Sequence, residues 1–347
     1  MTRLFLPFLL ACKPIAPLAP SHCVGTTKTH VSTVDGAEVA LHRHPAPGPP
    51  VILIHGLSSN RHFWDLTEEH SLAAMLADSG MDAWVMDLRG HGDAKHKENG
   101  EIQKHGWAVD DYGKHDLHAA IEHVRAATKS SKVAVVGHSM GGMVAAAYHG
   151  HHGDDALSAL VVVGSPITFD TQSVIMRMNQ TGLQVGALWK RLSSEKVARM
   201  AAQLPGDLPV HGEGLLFTAK NMAIPMRRHM LAHVVSPVSR EELAQFQQIL
   251  KEGRFVSADG RLDYAKELRS LDIPLLAIGG AGDKVVPLPS VSAWIGHAGS
   301  PDETFMTMSE ANGYAADYGH IDLVLGDVAR AEVLNPIVSW LETRLKK

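Results

Sequence analysis

The chain has 347 residues, 45% of them hydrophobic, enough to bury the core of one large α/β domain with room for an insertion. A net charge of −5 without any cluster of Lys and Arg excludes a nucleic-acid surface. The two cysteines, Cys12 and Cys23, both precede the expected domain, so neither staples its core.

Met1-Thr2-Arg3 leads into an apolar run that ends at Ala11-Cys12. This reads as a very short secretory signal, and Leu9-Leu10-Ala11-Cys12 resembles a bacterial lipoprotein cleavage box, which predicts membrane attachment through a lipidated Cys12. Pro7 and the bulky Leu10 oppose that reading, so cell envelope and cytoplasm both stand as locations. The run is too short to span a bilayer. Lys13 to Pro20 is a Pro-rich linker, and residues 1–26 form a leader ahead of the folded part.

Residues 29–34 and 37–42 alternate about Asp35-Gly36 and predict an antiparallel hairpin. Val51-Ile52-Leu53-Ile54 predicts a buried strand ending in His55-Gly56-Leu57-Ser58-Ser59-Asn60. A helix follows over 71–79, with Gly80 as its stop. A strand over 82–88 leads to Arg89-Gly90-His91, and a helix over 111–127 has apolar residues at helical spacing. Val133 to Val136 is a β-branched run without a polar break, as in a strand covered on both faces. The Ala-rich stretch from Met143 to Tyr148 suits a helix. Residues 160–163 form the next buried strand. Strand, helix, strand, helix at this rhythm predicts a mostly parallel sheet flanked by helices on both faces, an α/β fold.

The rhythm stops over 167–268. Helical patterns at 196–203, 215–235 and 241–251 predict an inserted helical cap, with Ser239 and Glu242 spaced as a capping box and Pro225 placed to kink the second helix. Met176, Met178, Met200, Met222, Met226 and Met230 fall here. They read either as core packing or as a pliable apolar wall over an acyl-binding cleft. Strands at 273–278 and 304–308 and a helix over 328–345 complete the sheet domain, which thus comprises 27–166 and 269–347.

Between strand 133–136 and its helix lies Gly137-His138-Ser139-Met140-Gly141, a Gly-x-Ser-x-Gly motif in the strand-turn-helix context of a nucleophile elbow. Glycines two places either side of Ser139 remove the Cβ atoms that so tight a turn would press together. The turn lifts the Ser139 hydroxyl above the sheet and aims the Met140 N–H toward a developing oxyanion. Serine needs a base, and the base needs an orienting carboxylate. In this architecture the order is Ser, acid, His. Asp283 follows a strand end, where ligands gather in open α/β sheets. Its rivals are worse placed: Asp272 precedes its strand and Asp302 sits in a connecting loop. His320 follows the last strand, whereas His297 precedes it. The Leu57 N–H, after His55-Gly56, is the expected second oxyanion donor. His55 buttresses that loop, and His138 and Met140 line the site floor. Asp87, Arg89 and His91 brace a loop. His149, His151, His152, Asp154 and Asp155 crowd the far end of the elbow helix and read as a solvated helix end, with no functional metal expected.

From Thr27 onward these motifs resemble the α/β-hydrolase superfamily. His55-Gly56, Gly137-His138-Ser139-Met140-Gly141-Gly142, Gly282-Asp283 and Gly319-His320 match its motifs in order. Residues 71–78 with Asp116-Leu117 look like acid lipases. Residues 319–326 are similar to the closing motif of polyhydroxyalkanoate synthases, although those use a cysteine where this chain has Ser139. The resemblance implies hydrolysis of a small-molecule acyl ester without a cofactor. An acyltransferase or thioesterase would use the same triad, and transfer to an added alcohol separates them. A non-catalytic binding protein of the same fold would escape fluorophosphonate labelling. Oligomeric state is left open by the sequence.

Overall fold

The computed structural model describes residues 26–94, 97–98, 101–102, 106–169, 198, 202 and 214–345. The expected signal, Cys12, Cys23 and the Pro-rich linker lie outside the described residues. So do Met176, Met178, Met200 and, apart from Ala198 and Ala202, the helix expected over 196–203.

The strands are β1 Thr27–Ser32, β2 Glu38–His44, β3 Pro50–Ile54, β4 Asp82–Asp87, the short ribbon β5 Lys97–Glu98 and β6 Glu101–Ile102, then β7 Val133–His138, β8 Leu157–Val163, β9 Leu275–Gly280 and β10 Glu303–Met308. All but the ribbon pair into one eight-stranded sheet in the order β1-β2-β4-β3-β7-β8-β9-β10. β1 and β2 run antiparallel to their neighbours, and every pairing from β4 to β10 is parallel. The order reverses beside β3 and β7, and a crevice opens beyond the carboxyl ends of strands at such a reversal.

The uninterrupted apolar runs of β3, β4, β7 and β9 are buried at every position. Successive residues feed opposite cores, because side chains alternate across a strand. Ile52, Val135, Val162 and Ala277 pack on one face with Ile121 and Val124 of α3 (His118–Thr128) and Met143 and Val144 of α4 (Met140–His152). Leu53, Val136, Val161 and Ile278 pack on the other with Leu72 and Leu76 of α1 (Leu72–Asp78) and Ile337 and Leu341 of the closing helix Asn335–Leu345. Each of these Val, Leu, Ile and Met side chains contributes about 1.5–3 kcal/mol of burial.

Local chemistry sets the helix ends. The Ser71 hydroxyl accepts the Ala74 N–H to start α1, and Gly80, at φ 88°, ends it. The helix expected over 111–127 starts earlier, with α2 (Val109–Asp111), and passes through a π turn at Tyr112–Leu117 before α3. Within that turn Gly113 faces α4 so closely that a Cβ would lie 2.5 Å from the Ala147 Cβ.

Several boundaries differ from the sequence reading, and three points have a local reason. β8 begins at Leu157 because Ser158, on the alternate face, does not break it. β7 runs on through Gly137 to His138, to the brink of the turn. Pro225 does not kink a helix: it stands in the first turn of α5, Ile224–His233, where its missing N–H has no partner to lose. The described part of 214–268 supplies α5 and α6 (Arg240–Glu252), and no strand of the main sheet. α6 opens with the Ser239–Glu242 capping box and closes at Gly253 in the left-handed region. Met222, Met226 and Met230 are buried together with Phe63 and Trp64. No helix among the described residues is long and apolar enough to cross a membrane.

Candidate active site

Ser139 joins β7 to α4 at φ 52°, ψ −119°, a conformation that costs a non-glycine residue about 1–3 kcal/mol. Neighbouring groups hold it there. The Ser139 N–H donates to the Val163 carbonyl at 2.9 Å, and the Ser165 hydroxyl donates to the Ser139 carbonyl at 2.7 Å. A Cβ at Gly137 would overlap the Gly141 backbone, and one at Gly141 would overlap the Ile54 carbonyl oxygen at the end of β3. The two glycines thus serve different approaches, one within the turn and one between the turn and the neighbouring strand.

Asp283 follows β9 and His320 follows β10, the next strand in the sheet. His320 Nε2 lies 2.9 Å from Ser139 Oγ, and His320 Nδ1 lies 2.7 Å from Asp283 Oδ2. The other carboxylate oxygen, Oδ1, accepts the N–H groups of Val285 and Val286, both at 2.8 Å. An ionised carboxylate so held accepts the Nδ1 proton, which leaves Nε2 as an acceptor facing the hydroxyl. Asp283 and His320 are both buried, at 6% exposure, whereas Ser139 stays half-buried and reachable. The rival acids lie elsewhere: Asp302 is bound by Arg344, and Asp272 is exposed ahead of β9, its backbone N–H donating to Asp154. His297 lies in the loop before β10.

The loop after β3 packs against the elbow. A Cβ at Gly56 would sit 3.1 Å from Ser139 Cβ and 3.2 Å from His138 Nδ1, so only a bare Cα fits comfortably. Leu57 follows immediately, and Met140 is the first residue of α4. His55 is buried beneath this loop. Its Nε2 accepts the Leu88 N–H at 3.3 Å and its Nδ1 donates to the Gly56 carbonyl at 2.8 Å. Burial pushes its pKa down, against the pull of Asp87 and the Gly56 carbonyl, and neutrality suits both bonds. His138 Nε2 donates to the His320 backbone carbonyl at 3.0 Å, with its ring 4.2 Å from Phe63 and 4.7 Å from the His320 ring. Burial, then the His320 charge, hold His138 well below the ordinary histidine range.

Asp87, Arg89 and His91 make bracing contacts. Asp87 accepts the N–H groups of Arg61 and Asp93 at 2.7 and 2.8 Å. Burial alone would raise its pKa, but His42, His55 and those donors bring it down to about 2. Arg89 grips Asp116 in the π turn and Asp35 in the β1–β2 turn. Burial and then His55 push His91 down to about 3. At the far end of α4, His149 meets the Glu267 carbonyl, His151 the Tyr264 hydroxyl and His152 the Lys114 carbonyl.

Two features escaped the sequence reading. Ser165 locks the elbow carbonyl, and Ser58 and Asn60 bond to the segment after α5. Their partners are 26, 178 and 176 residues away, so no local pattern marks them.

A family model described as the alpha/beta hydrolase fold matches residues 49–317. Triacylglycerol lipase 1 of Arabidopsis thaliana is 26% identical over a 360-residue alignment, which takes in 92% of this chain and 88% of the plant protein. Lysosomal acid lipase/cholesteryl ester hydrolase of Homo sapiens is 36% identical over 124 residues, 32% of this chain and 31% of the human protein. Among solved structures, a thermophilic esterase from Thermogutta terrifontis superposes with a TM-score of 0.65 at 19% identity, covering 92% of this chain and 99% of that one, a likeness of fold. A nucleophile elbow at the order reversal of an eight-stranded, mostly parallel sheet agrees with that match, and the chain belongs to the alpha/beta hydrolase fold family.

Proposed function

We propose that this protein hydrolyses carboxylic esters through an acyl-enzyme. Ser139 Oγ attacks the ester carbonyl while His320 Nε2 takes its proton, and Asp283 holds the imidazole in the required tautomer. The Leu57 and Met140 N–H groups bind the oxyanion, which develops beside the N-terminus of α4. His320 then protonates the leaving alcohol, activates water against the acyl-enzyme and returns the proton to Ser139. His55, Gly56, Gly137, His138 and Gly141 shape the site without touching the reacting atoms. Residues 167–268 act as the cap over the acyl group.

The observation that carries this reading is the unbroken hydrogen-bond chain from Ser139 through His320 to Asp283, at 2.9 and 2.7 Å. The names of the plant and human relatives, a triacylglycerol lipase and a cholesteryl ester hydrolase, support acyl esters as the substrate class. Hydrolysis of p-nitrophenyl esters from acetate to palmitate tests it and measures the acyl length the cap accepts. Ser139→Ala is expected to lose ~10³-fold or more in kcat and all fluorophosphonate labelling. Full turnover by that variant would sink the assignment.

A further inference from the structure

The loop from His55 to Asn60 is pinned from two sides. On one side Gly56 lies against Ser139 and His138. On the other, four hydrogen bonds join the loop to the last residue of α5 and the segment that follows it. The Ser236 N–H donates to the Ser58 carbonyl at 2.9 Å, and the Ser58 hydroxyl donates back to the Ser236 carbonyl at 2.7 Å. Asn60 Nδ2 donates to the His233 carbonyl at 2.9 Å and to the Ser236 hydroxyl at 3.1 Å. Asn60 spends its remaining oxygen on the His62 N–H at 3.0 Å, which starts the short helix Arg61–Phe63. Asn60 and Ser236 are buried, so water does not compete for these bonds. Ser58 itself sits at φ 56°, a left-handed backbone that serine rarely adopts and that needs outside support.

We propose that Ser58, Asn60 and Ser236 are positioning residues that hold the Leu57 N–H at the oxyanion, so that seating of the 233–236 segment and completion of the oxyanion hole are one event. The inference rests on the reading of Leu57 as an oxyanion donor. Leu57 lies between the contact that fixes Gly56 and the reciprocal bonds that fix Ser58. Release of the second support lets the peptide swing away from Ser139, although neither Ser58 nor Asn60 needs to touch substrate.

The test compares an ester with its thionoester on purified protein, because sulfur accepts N–H hydrogen bonds poorly and the rate ratio reports on the oxyanion hole. Asn60→Asp keeps the acceptor for His62 and removes the donor to His233 and Ser236. Ser58→Ala removes one hydroxyl. Both are expected to lose ~10-fold to 100-fold in kcat on the ester with KM within about twofold, while thionoester rates hold, so the ratio collapses by the same factor. Gln245→Ala, which cuts the α6 bond to Asp110 instead, should leave the ratio intact. A large wild-type ratio that survives in both clasp variants overturns the positioning role. An equal collapse in Gln245→Ala also overturns it, because loosening the helical segment 214–268 anywhere would then suffice. A wild-type ratio near one sinks the oxyanion reading beneath it. Should Asn60→Asp fail to fold, Ser58→Ala still decides the matter, since it leaves the Asn60 bonds in place.

Discussion

Asp283 divides its two oxygens between different tasks, and that division makes a sharp prediction. Oδ1 is held by the Val285 and Val286 N–H groups, and only Oδ2 faces His320. In Asp283→Asn the amide oxygen must stay on the two donors, which turns the NH₂ toward His320 Nδ1. The imidazole then accepts at Nδ1 and carries its proton on Nε2, where it can no longer take one from Ser139. A loss in kcat of ~10³-fold to 10⁴-fold is expected with little change in thermal stability. Unaltered kcat would remove Asp283 from the reaction. At this scale the sequence was readable where chemistry imposes an order: Ser139, Asp283 and His320 could each be picked from position along the chain. His138 could be placed on the floor by its neighbourhood with Ser139. Its bond to the His320 carbonyl could not, because 182 residues separate the two and only the adjacency of β7, β8, β9 and β10 joins them.

Elements were legible where one face had to be apolar. The β-branched runs of β3 and β7 announce strands covered on both sides, and the Ser239–Glu242 spacing announces a helix start. The π turn at Tyr112–Leu117 carries no such pattern. It occurs where Asp116 turns to Arg89 and Gly113 meets α4, contacts that only the assembled layers supply. The elbow offers a test of element geometry. Gly137→Ala would drive a methyl into the Gly141 and Gly142 backbone, which belongs to α4 and cannot rotate aside. Loss of about 3 kcal/mol or more is expected, read as a lowered urea midpoint together with poor soluble yield. A midpoint equal to the wild type would mean that α4 shifts freely against β7.

At the scale of the whole molecule, one buried acid contributes stability that falls as pH rises, opposite in sign to the contributions of the depressed histidines His55, His91 and His138. Glu242 accepts the Ser239 N–H at 3.1 Å and faces the Tyr112 hydroxyl, while the Ser239 hydroxyl ties α6 to the Trp107 carbonyl at 2.6 Å. Burial raises its pKa from the ordinary 4.5 to about 8, against the opposing pull of Ser239 and Tyr112. The folded state therefore keeps a proton that the unfolded chain gives up. The contribution is complete below 4.5 and is lost as pH climbs to about 8, at up to about 1.4 kcal/mol per pH unit. Glu242→Gln holds a neutral acceptor at every pH, so its stability relative to wild type should improve steadily between pH 5 and pH 8 in urea unfolding. A constant offset across that range would refute the buried proton. The capping box was legible from Ser239 and Glu242, whereas the burial of the carboxyl depended on where Tyr112 and Trp107 lie, which no local spacing records.

The sheet finishes at an edge strand, β10, and His320 follows it, with Asp283 only one strand earlier. A ribosome extending this polypeptide therefore releases Ser139 some 180 residues before His320. On the proposed mechanism the Ser139 hydroxyl is an ordinary alcohol, inert toward esters, until β10 has docked and carried His320 to its side.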